Sequence, residues 1–441
     1  MLTAERRARI QGLALPIIGG MISQNVLNLV DTGMVGALGD AALAGVGLGS
    51  FANFMAIAFI TGASAGVQAM AARRRGEGRD TETAIPLNGG LLVVAAVAVP
   101  LSALLIWLAP SLFPLLDDDP EVVALGTTYL QVRLVAMVAV GANFAFRGYW
   151  NAIDRSKLYL RTLLVMHVTN IALNYLLIFG HFGFPELGVK GAALGTAIST
   201  YVGTAYYVWM GRTYARENGF LRGLPDGATV KTMLRLAVPA GLQQFFFAAG
   251  MTVFFRLVGM VGTQELAASN VLVNLLLVAI LPGLGFGLAA ATLVGQALGQ
   301  GDREAAHAWG SDVVKLSVGV ITIIALPAMI YPQLLLMPFI RNPETLALAA
   351  EPLRIIAILL PLDAVGMVLM NALLGAGDAK KVMAVSVSTQ WAVQLPLVYL
   401  VGPHLGWGLI AIWAVQSGAR ALQSLVFLGT WRGSSWGHAK V

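Results

Sequence analysis

Apolar runs of about 20 residues recur along the whole chain, and they limit its fold more than any other feature of the sequence. A helix of that length crosses the hydrocarbon core of a bilayer, and within lipid a helix satisfies all of its own backbone hydrogen bonds. Only 11% of the 441 residues are charged, against about 25% in soluble domains. We therefore predict an all-α polytopic membrane protein with twelve transmembrane helices. Their predicted centres are Gln24, Met55, Val99, Val140, Ile171, Tyr201, Gly250, Leu281, Val320, Asp363, Trp391 and Val415.

The loops between these runs alternate in charge. Residues 73–75 and 155–161 belong to a set rich in Arg and Lys that continues to Lys440, whereas residues 117–121 belong to an acidic set. Lys and Arg concentrate in the cytoplasmic loops of membrane proteins. We therefore expect a multi-pass membrane protein with both termini in the cytoplasm. Since the basic residues line one membrane face, the net charge of +6 does not indicate a nucleic-acid partner.

The two halves of the chain repeat each other. LALPIIGG and VGALGDAALAG in the first half match LAVPAGLQ and VGMVGTQELAA in the second. The offset between matched positions is constant, as from Pro16 to Pro239, and grows by a single position further along, as from Asp154 to Asp378. Two six-span halves that begin on the same side of the membrane are parallel repeats, which is typical of transporters. We predict two six-helix lobes around a central cavity, residues 1–212 and 230–441, with a cytoplasmic linker at 213–229.

The first apolar run, residues 17–39, contains a single carboxylate, Asp31. An aspartate at the middle of a membrane helix costs about 2.5 to 3.5 kcal/mol on insertion scales, so an aspartate without a role is unexpected there. Gln24, Asn28 and Asp31 are spaced i, i+4 and i+7 and share one helical face. We interpret Asp31 as a cation site, most simply a proton carrier, and assign Gln24 and Asn28 to the substrate cavity. The alternative is a structural hydrogen bond between helices.

Two later spans contain amide and hydroxyl side chains of the same kind. Asn170 and Asn174 stand one turn apart in the fifth span, and Thr196 lies in the sixth. Two amides on one face can coordinate a cation through their oxygens or bond to a carboxylate. Polar residues in membrane helices also serve simply to join helices. We include all three residues in the predicted cation-coupling set and keep the structural interpretation as the alternative.

Asp363 lies near the middle of the tenth span. It is interpreted either as a second cation-coupling site or substrate contact, or as a buried partner for Gln390 or Gln394. Met367 and Met370 follow on the same span, and flexible methionines suit an adaptable apolar substrate pocket. Ordinary packing is the alternative for each methionine.

No stretch of the chain matches a catalytic motif. The sequence lacks H-E-x-x-H, G-x-S-x-G and Walker A patterns, and it contains no cysteine. We expect no enzymatic activity, no cofactor and no firm metal site. An ion gradient would then supply the energy for transport.

Four stretches together have a family resemblance. They are VDTGMVGALGDAALAGVGLG, FRGYWNAIDRSK, NIALNYLLIFGHFGFPELGVKGAALGT and LDAVGMVLMNALLGAGDAKK. The chain resembles the multidrug and toxic compound extrusion (MATE) family over nearly its full length, and its pattern is closest to the NorM-type and DinF-type branches. This resemblance implies twelve helices in two lobes around a V-shaped cavity. It also implies export of organic, often cationic, compounds in exchange for protons or sodium ions.

The resemblance extends to individual site residues of the first lobe. Asp31 matches the amino-lobe carboxylate that takes part in ion coupling, and the polar groups around that carboxylate are matched by Gln24, Asn170, Asn174 and Thr196. Asn174 stands where archaeal and some other members have an aspartate. Asp31 is therefore expected to be the main anionic group of this site.

In the second lobe, Asp363 matches a carboxylate proposed for sodium in the NorM-type branch. The chain departs from that branch in span seven. It reads QQFFFAAGM there, with Phe247 near the position of a family glutamate.

These observations lead to one expected function and two alternatives. We expect a monomeric secondary active antiporter in the lipid bilayer of the bacterial inner (plasma) membrane, coupled to H⁺ and/or Na⁺. If the ion is Na⁺, it would bind among Asp31, Asn170, Asn174 and Thr196. It would export small organic cations or amphiphilic drugs by alternating access. The first alternative is a lipid-linked oligosaccharide flippase of the same superfamily, although such cavities carry several cationic groups and this chain shows no such cluster. The second alternative, from another class, is an integral-membrane enzyme.

Overall fold

A computed structural model describes residues 3–433 and 435–438, and Lys440 of the basic loop set lies outside these residues. The described chain is helical and contains no β-strand. All twelve predicted span centres fall on helical residues. The helices are α1 (Ala4–Gly36), α2 (Asp40–Ala58), α3 (Gly62–Gly76), α4 (Ile85–Leu112), α5 (Pro120–Val135), α6 (Met137–Ala152), α7 (Ser156–Phe179), α8 (Gly188–Tyr214), α9 (Gly227–Val261), α10 (Thr263–Gly299), α11 (Arg303–Ile330), α12 (Pro332–Leu336), α13 (Pro343–Ala376), α14 (Ala379–Ser388), α15 (Leu395–Tyr399) and α16 (Gly408–Arg432).

Most of these helices are long and apolar enough to cross a membrane. Ten qualify within the described residues, and the bent pair α5 and α6 makes an eleventh if it counts as one span. One of the ten, Ala379–His404, contains α14, α15 and two π-helical turns. The one remaining predicted span, the sixth, corresponds to α8, which has 27 residues and so exceeds the length of about 20 that a bilayer requires. The predicted all-α, multi-span fold class is confirmed.

The helix boundaries follow the sequence repeat. The single helix α10 corresponds to α2 and α3 together. The offset from Pro16 to Pro239 relates the first residue of α2, Asp40, to the first residue of α10, and it relates the last residue of α3, Gly76, to the last residue of α10. The same offset separates the first residues of α5 and α13. The bent pair of α5 and α6 ends at Ala152 and α13 ends at Ala376, which differs from that offset by one position. The break between α2 and α3 starts where α10 has Pro282, which removes a helical hydrogen bond without ending the helix. The two halves therefore have the same helix order.

Residue contacts divide the chain into two compact units. The amino-terminal unit is Gly19–Gly241, and the carboxy-terminal unit comprises the described parts of Met1–Ile18 and Leu242–Val441. The chain passes from one unit to the other inside α1 and again inside α9. The offset of the repeat separates these two dividing points, so they lie at corresponding positions in the two halves.

Each unit has its own apolar core. In the amino-terminal unit, Phe113 and Leu134 belong to one fully buried cluster. In the carboxy-terminal unit, Phe254 packs against Trp413 with ring centroids 5.4 Å apart. Lipid is as apolar as these side chains, so close packing rather than exclusion from water stabilises such cores. Polar side chains inside them therefore require a specific partner, which is the basis for locating the site.

Candidate cation site

Helices α7 and α8 position the amide side chains predicted for cation coupling. Asn170 and Asn174 lie one turn apart on α7, and both are almost completely buried. They face α8, where Gly191 and Gly195 form a small-residue stripe that lets the two helices pack closely. A Cβ atom at Gly195 would overlap the Oδ1 atom of Asn174. The glycine is therefore required for the observed position of this amide.

A continuous chain of hydrogen bonds links α1, α7 and α8. Asn174 donates from Nδ2 to Oδ1 of Asp31 at 2.8 Å and to Oδ1 of Asn170 at 3.2 Å. Asn170 in turn donates to the Thr196 hydroxyl at 3.1 Å, and the Ser199 hydroxyl lies 3.5 Å away. The structure thus brings together four residues predicted from the sequence, Asp31, Asn170, Asn174 and Thr196.

Asn174 also presents an acceptor that has no donor. Its Oδ1 atom is buried and makes no hydrogen bond within the described residues. Buried acceptors are nearly always satisfied, so an unsatisfied carbonyl oxygen beside a carboxylate is unusual. Across the described chain, no group of three or more His, Cys, Asp or Glu side chains could hold a metal ion. A cation at Asp31 would therefore use amide and hydroxyl oxygens as its further ligands, which suits a hard ion.

Arg133 on α5 supplies a positive charge that sequence reasoning did not assign to the site. Its guanidinium attracts the carboxylate of Asp31 electrostatically. The guanidinium is held by Tyr129, one turn earlier on α5, whose hydroxyl accepts a hydrogen bond from Arg133 at 3.1 Å. Asp31 is itself half-buried. An arginine within an otherwise apolar run is the signal that could have identified this residue.

The predicted cavity residues of α1 lie beside this group rather than within it. Gln24 is half-buried, and it donates to the side chain of Asn28 at 3.2 Å and contacts Nε2 of His167 at 3.3 Å. Asn28 is exposed. Among the hydrogen bonds of the described residues, neither side chain reaches Asp31. The shared helical face is therefore present, but the carboxylate is bonded through α7.

Asp363 belongs to the carboxy-terminal unit and has a different partner. Its Oδ2 atom accepts two hydrogen bonds from Arg420 on α16, from Nη2 at 2.7 Å and Nε at 3.0 Å. Neither glutamine that we considered as a partner takes this position. Gln390 donates to the Phe247 carbonyl at 3.2 Å, and Gln394 bonds to Gln416.

The two predicted cavity methionines also lie in the carboxy-terminal unit. Met367 is 5% exposed and packs against Gly283 of α10. Met370 is half-buried, and its sulfur accepts a hydrogen bond from Gln243 at 3.3 Å. Both are thus more restrained than freely exposed pocket residues.

Comparisons with known proteins agree with this architecture. The chain is 28% identical over 430 residues to "Probable multidrug resistance protein NorM" of Thermotoga maritima, covering 93% of this chain and 88% of that protein. It is 30% identical over 410 residues to the protein of the same name from Rhizobium meliloti, covering 91% and 88%. It also superposes on the solved "Outward-facing conformation of a multidrug resistance MATE family transporter of the MOP superfamily" with a TM-score of 0.89. The identity there is 21%, over 99% of this chain and 97% of that one.

The family comparison matches each repeat separately. A model of the MatE family matches residues 16–176 and again residues 239–400, so one matched segment lies in each half of the repeat. The segments include the parts of α1, α7 and α13 that carry Asp31, Asn174 and Asp363. The match extends over well more than half of the chain. The chain therefore belongs to the MatE family, the multidrug and toxic compound extrusion family that its motifs resemble.

Proposed function

We propose that this protein is a secondary active antiporter that exports organic, often cationic or amphiphilic, compounds across the bacterial inner membrane. An inward flow of H⁺ and/or Na⁺ would drive export by alternating access. Membership of the MatE family supports a transporter rather than an enzyme or a lipid-linked oligosaccharide flippase. The relatives named as multidrug resistance proteins support drug-like substrates.

The observation that best supports ion coupling is the hydrogen-bonded chain from Asp31 through Asn174 and Asn170 to Thr196. Burial among apolar helices disfavours an ionised carboxylate. Donation from Asn174 and the nearby charge of Arg133 favour it. Because these effects oppose each other, a modest change in surroundings can change whether Asp31 is ionised or has bound a cation. This is the property that a coupling residue requires.

In this mechanism, the state of Asp31 decides which conformation is favoured. A cation or proton on Asp31 removes the charge that Asn174 bonds to, and so weakens the link between α1 and α7. Ion and substrate must favour different conformations, because a ligand shifts an equilibrium only by its difference in affinity for the two states. Substrate release on one side and ion release on the other would then alternate.

The hydrogen-bond direction also distinguishes the two candidate ions. Asn174 presents an N–H group to Asp31, which suits either an ionised carboxylate or one that exchanges protons. A sodium ion would require an oxygen at that position, so Asn174 would have to turn its amide over. A proton requires no such change, so we propose proton coupling as the simpler mechanism.

The test is gradient-driven accumulation of tetraphenylphosphonium in inverted membrane vesicles, with a proton or sodium gradient imposed alone. Asp31→Asn keeps the shape of the side chain but cannot change charge, so accumulation should be lost while the protein remains inserted. Asp31→Glu should keep partial activity. Asp118→Asn, in an exposed loop, is the matched control and should behave as wild type. Wild-type accumulation by Asp31→Asn under either gradient would refute the proposed coupling role.

A further inference from the structure

Asp363 and Arg420 form a partly buried ion pair within the carboxy-terminal unit. Both contacts of the guanidinium are to one carboxylate oxygen, at 2.7 and 3.0 Å. The side chain of Asp363 is 12% exposed and that of Arg420 is 24% exposed. Charges removed from water to this degree are stable only when they are paired and hydrogen-bonded. The guanidinium of Arg420 therefore stabilises the ionised carboxylate of Asp363, and the carboxylate stabilises the guanidinium.

Helix packing fixes the position of this pair. α13 and α16 approach closely at Gly366, where a Cβ atom would overlap the side chain of Ser424. Gly366 follows Asp363 by about one helical turn, and Ser424 follows Arg420 by about one turn, so the close approach lies next to the pair. The Ser424 hydroxyl also donates to the Arg420 carbonyl at 3.0 Å. The guanidinium is thus held at the carboxylate by the packing of two spanning helices.

The surroundings leave little room for another ligand. The free space beside the pair is about 20 Å³, which is enough for one water molecule. Its lining combines four leucine and isoleucine side chains and Trp413 with the polar side chains of Gln416 and Ser417. A second cation would have to enter this small space next to a guanidinium that already neutralises Asp363.

The hydrogen-bonded residues Asp31, Asn170, Asn174 and Thr196 are called the Asp31 group below. The repeat shows that the carboxy-terminal unit has no complete copy of this group. The offset that relates Pro16 to Pro239 places Phe254 opposite Asp31, and the offset that relates Asp154 to Asp378 places Val398 opposite Asn174. Phe254 and Val398 are both completely buried in the apolar core of that unit. The two units therefore have different chemistry at corresponding positions.

From these observations we infer that the guanidinium of Arg420 permanently neutralises Asp363 in place of a mobile cation, and that the mobile coupling ion binds only at Asp31. The chain would thus have one ion site, although Asp31 and Asp363 both lie well inside spanning helices. A tethered guanidinium acts at a high effective concentration, so a diffusing ion cannot compete with it. The part of the inference that concerns Asp31 rests on the proposed function. The part that concerns Arg420 rests on the ion pair alone.

The experiment counts ions bound to the purified full-length protein. One probe is ²²Na⁺, measured by scintillation proximity. The other is the infrared band of protonated carboxyl groups on acidification, measured as the difference from Asp31→Asn/Asp363→Asn, in which only the other carboxyl groups contribute. With the probe that Asp31 binds, a proton or Na⁺, the inference predicts one ion per chain for wild type and none for Asp31→Asn. Arg420→Gln should expose Asp363 and add a second ion. Asp363→Asn/Arg420→Gln should return the count to one.

Arg420→Lys is the matched control, because it keeps a tethered positive charge and should add no ion. If Arg420→Gln does not fold, the neutral double variant and Arg420→Lys still test the inference. A folded double variant that binds fewer ions than wild type would overturn it, as would a folded Arg420→Gln that gains none. Full ion binding by Asp31→Asn would instead refute the proposed role of Asp31, and the double variant would still decide the role of Arg420.

Discussion

Asn174 is the residue that connects the candidate site. One side-chain nitrogen donates to Asp31 and to Asn170, so the side chain joins the carboxylate of α1 to the amide and hydroxyl groups of α7 and α8. Hydrogen bonds to charged groups contribute about 1.5 to 3 kcal/mol, roughly twice as much as neutral ones. The coupling chemistry should therefore depend on this amide nearly as strongly as on Asp31.

Asn174→Leu tests this dependence with an apolar side chain that has the same number of non-hydrogen atoms. The variant removes the donor to Asp31 and leaves Asn170 with one partner fewer. Uphill tetraphenylphosphonium accumulation in inverted vesicles should fall by about tenfold or more, which is what the loss of one charged hydrogen bond represents. Downhill leakage should persist because the helices remain in place. Accumulation within about twofold of wild type would show that Asp31 does not need this donor.

Gly195→Ala tests the space that the amide of Asn174 requires. The added methyl group would overlap Oδ1 of Asn174, and overpacking of this kind costs about 1 to 3 kcal/mol. We expect a folded protein with a lower melting temperature and strongly reduced accumulation. Gly47→Ala on α2 is the control, because a Cβ atom there meets no other atom within 4 Å. Equal behaviour of the two variants in fluorescence-detected thermal unfolding would contradict the packing argument.

At the scale of elements, breaks in helices expose backbone groups that need partners in lipid. The bend of 49° between α5 and α6 leaves the carbonyl of Val135 at the end of α5. Tyr201 of α8 donates its hydroxyl to that carbonyl at 2.7 Å. α8 therefore stabilises the break between two other helices as well as positioning Thr196.

Tyr201→Phe should destabilise the protein by about 0.5 to 1.5 kcal/mol, because it removes a single hydrogen bond and leaves an acceptor unsatisfied. The shift should be visible in thermal unfolding of the detergent-purified protein. Tyr175→Phe is the matched control, since its ring stacking on His181 is kept and its side chain is exposed like that of Tyr201. The two melting temperatures should differ, and identical values would remove Tyr201 from the support of this bend.

At the scale of the whole molecule, the repeat determines helix order but not chemistry. The helix boundaries of the two halves correspond at both ends of α10 and of α13. Yet one half has the Asp31 group, whereas the corresponding residues Phe254 and Val398 of the other half are apolar and buried. The positions of these helix boundaries are thus common to both halves, whereas the predicted ion site lies in only one of them.

The proposed topology can be tested with cysteine labelling, since the natural chain contains no cysteine and each introduced thiol is unique. The basic loops predict that cysteines at Arg75 and at Gly223, in the 213–229 linker, are cytoplasmic. A cysteine at Asp118 should be periplasmic. Membrane-impermeant maleimide applied to intact cells should label only the last of these. Labelling of the Arg75 position from outside would reverse the assignment.

The sequence alone determined the span positions, the repeat, the family and the residues of the Asp31 group. These are accessible because bilayer thickness sets the length of every span and because an ionisable or amide group in an apolar run is expensive. Asp31, Asn170, Asn174 and Thr196 could therefore be selected without knowing their contacts. The role of each in transport stays a prediction.

Only the tertiary structure decided which of these groups meet. Arg420 stands on a different helix from Asp363, and Arg133 stands on a different helix from Asp31. Neither the ion pair of Asp363 with Arg420 nor the electrostatic influence of Arg133 on Asp31 follows from hydropathy, because the rotation and depth of each helix are set by side-chain packing, as at Gly366 and Gly195. Hydropathy shows that a charge lies within a span, whereas packing decides whether a side chain of the protein or a mobile ion neutralises it.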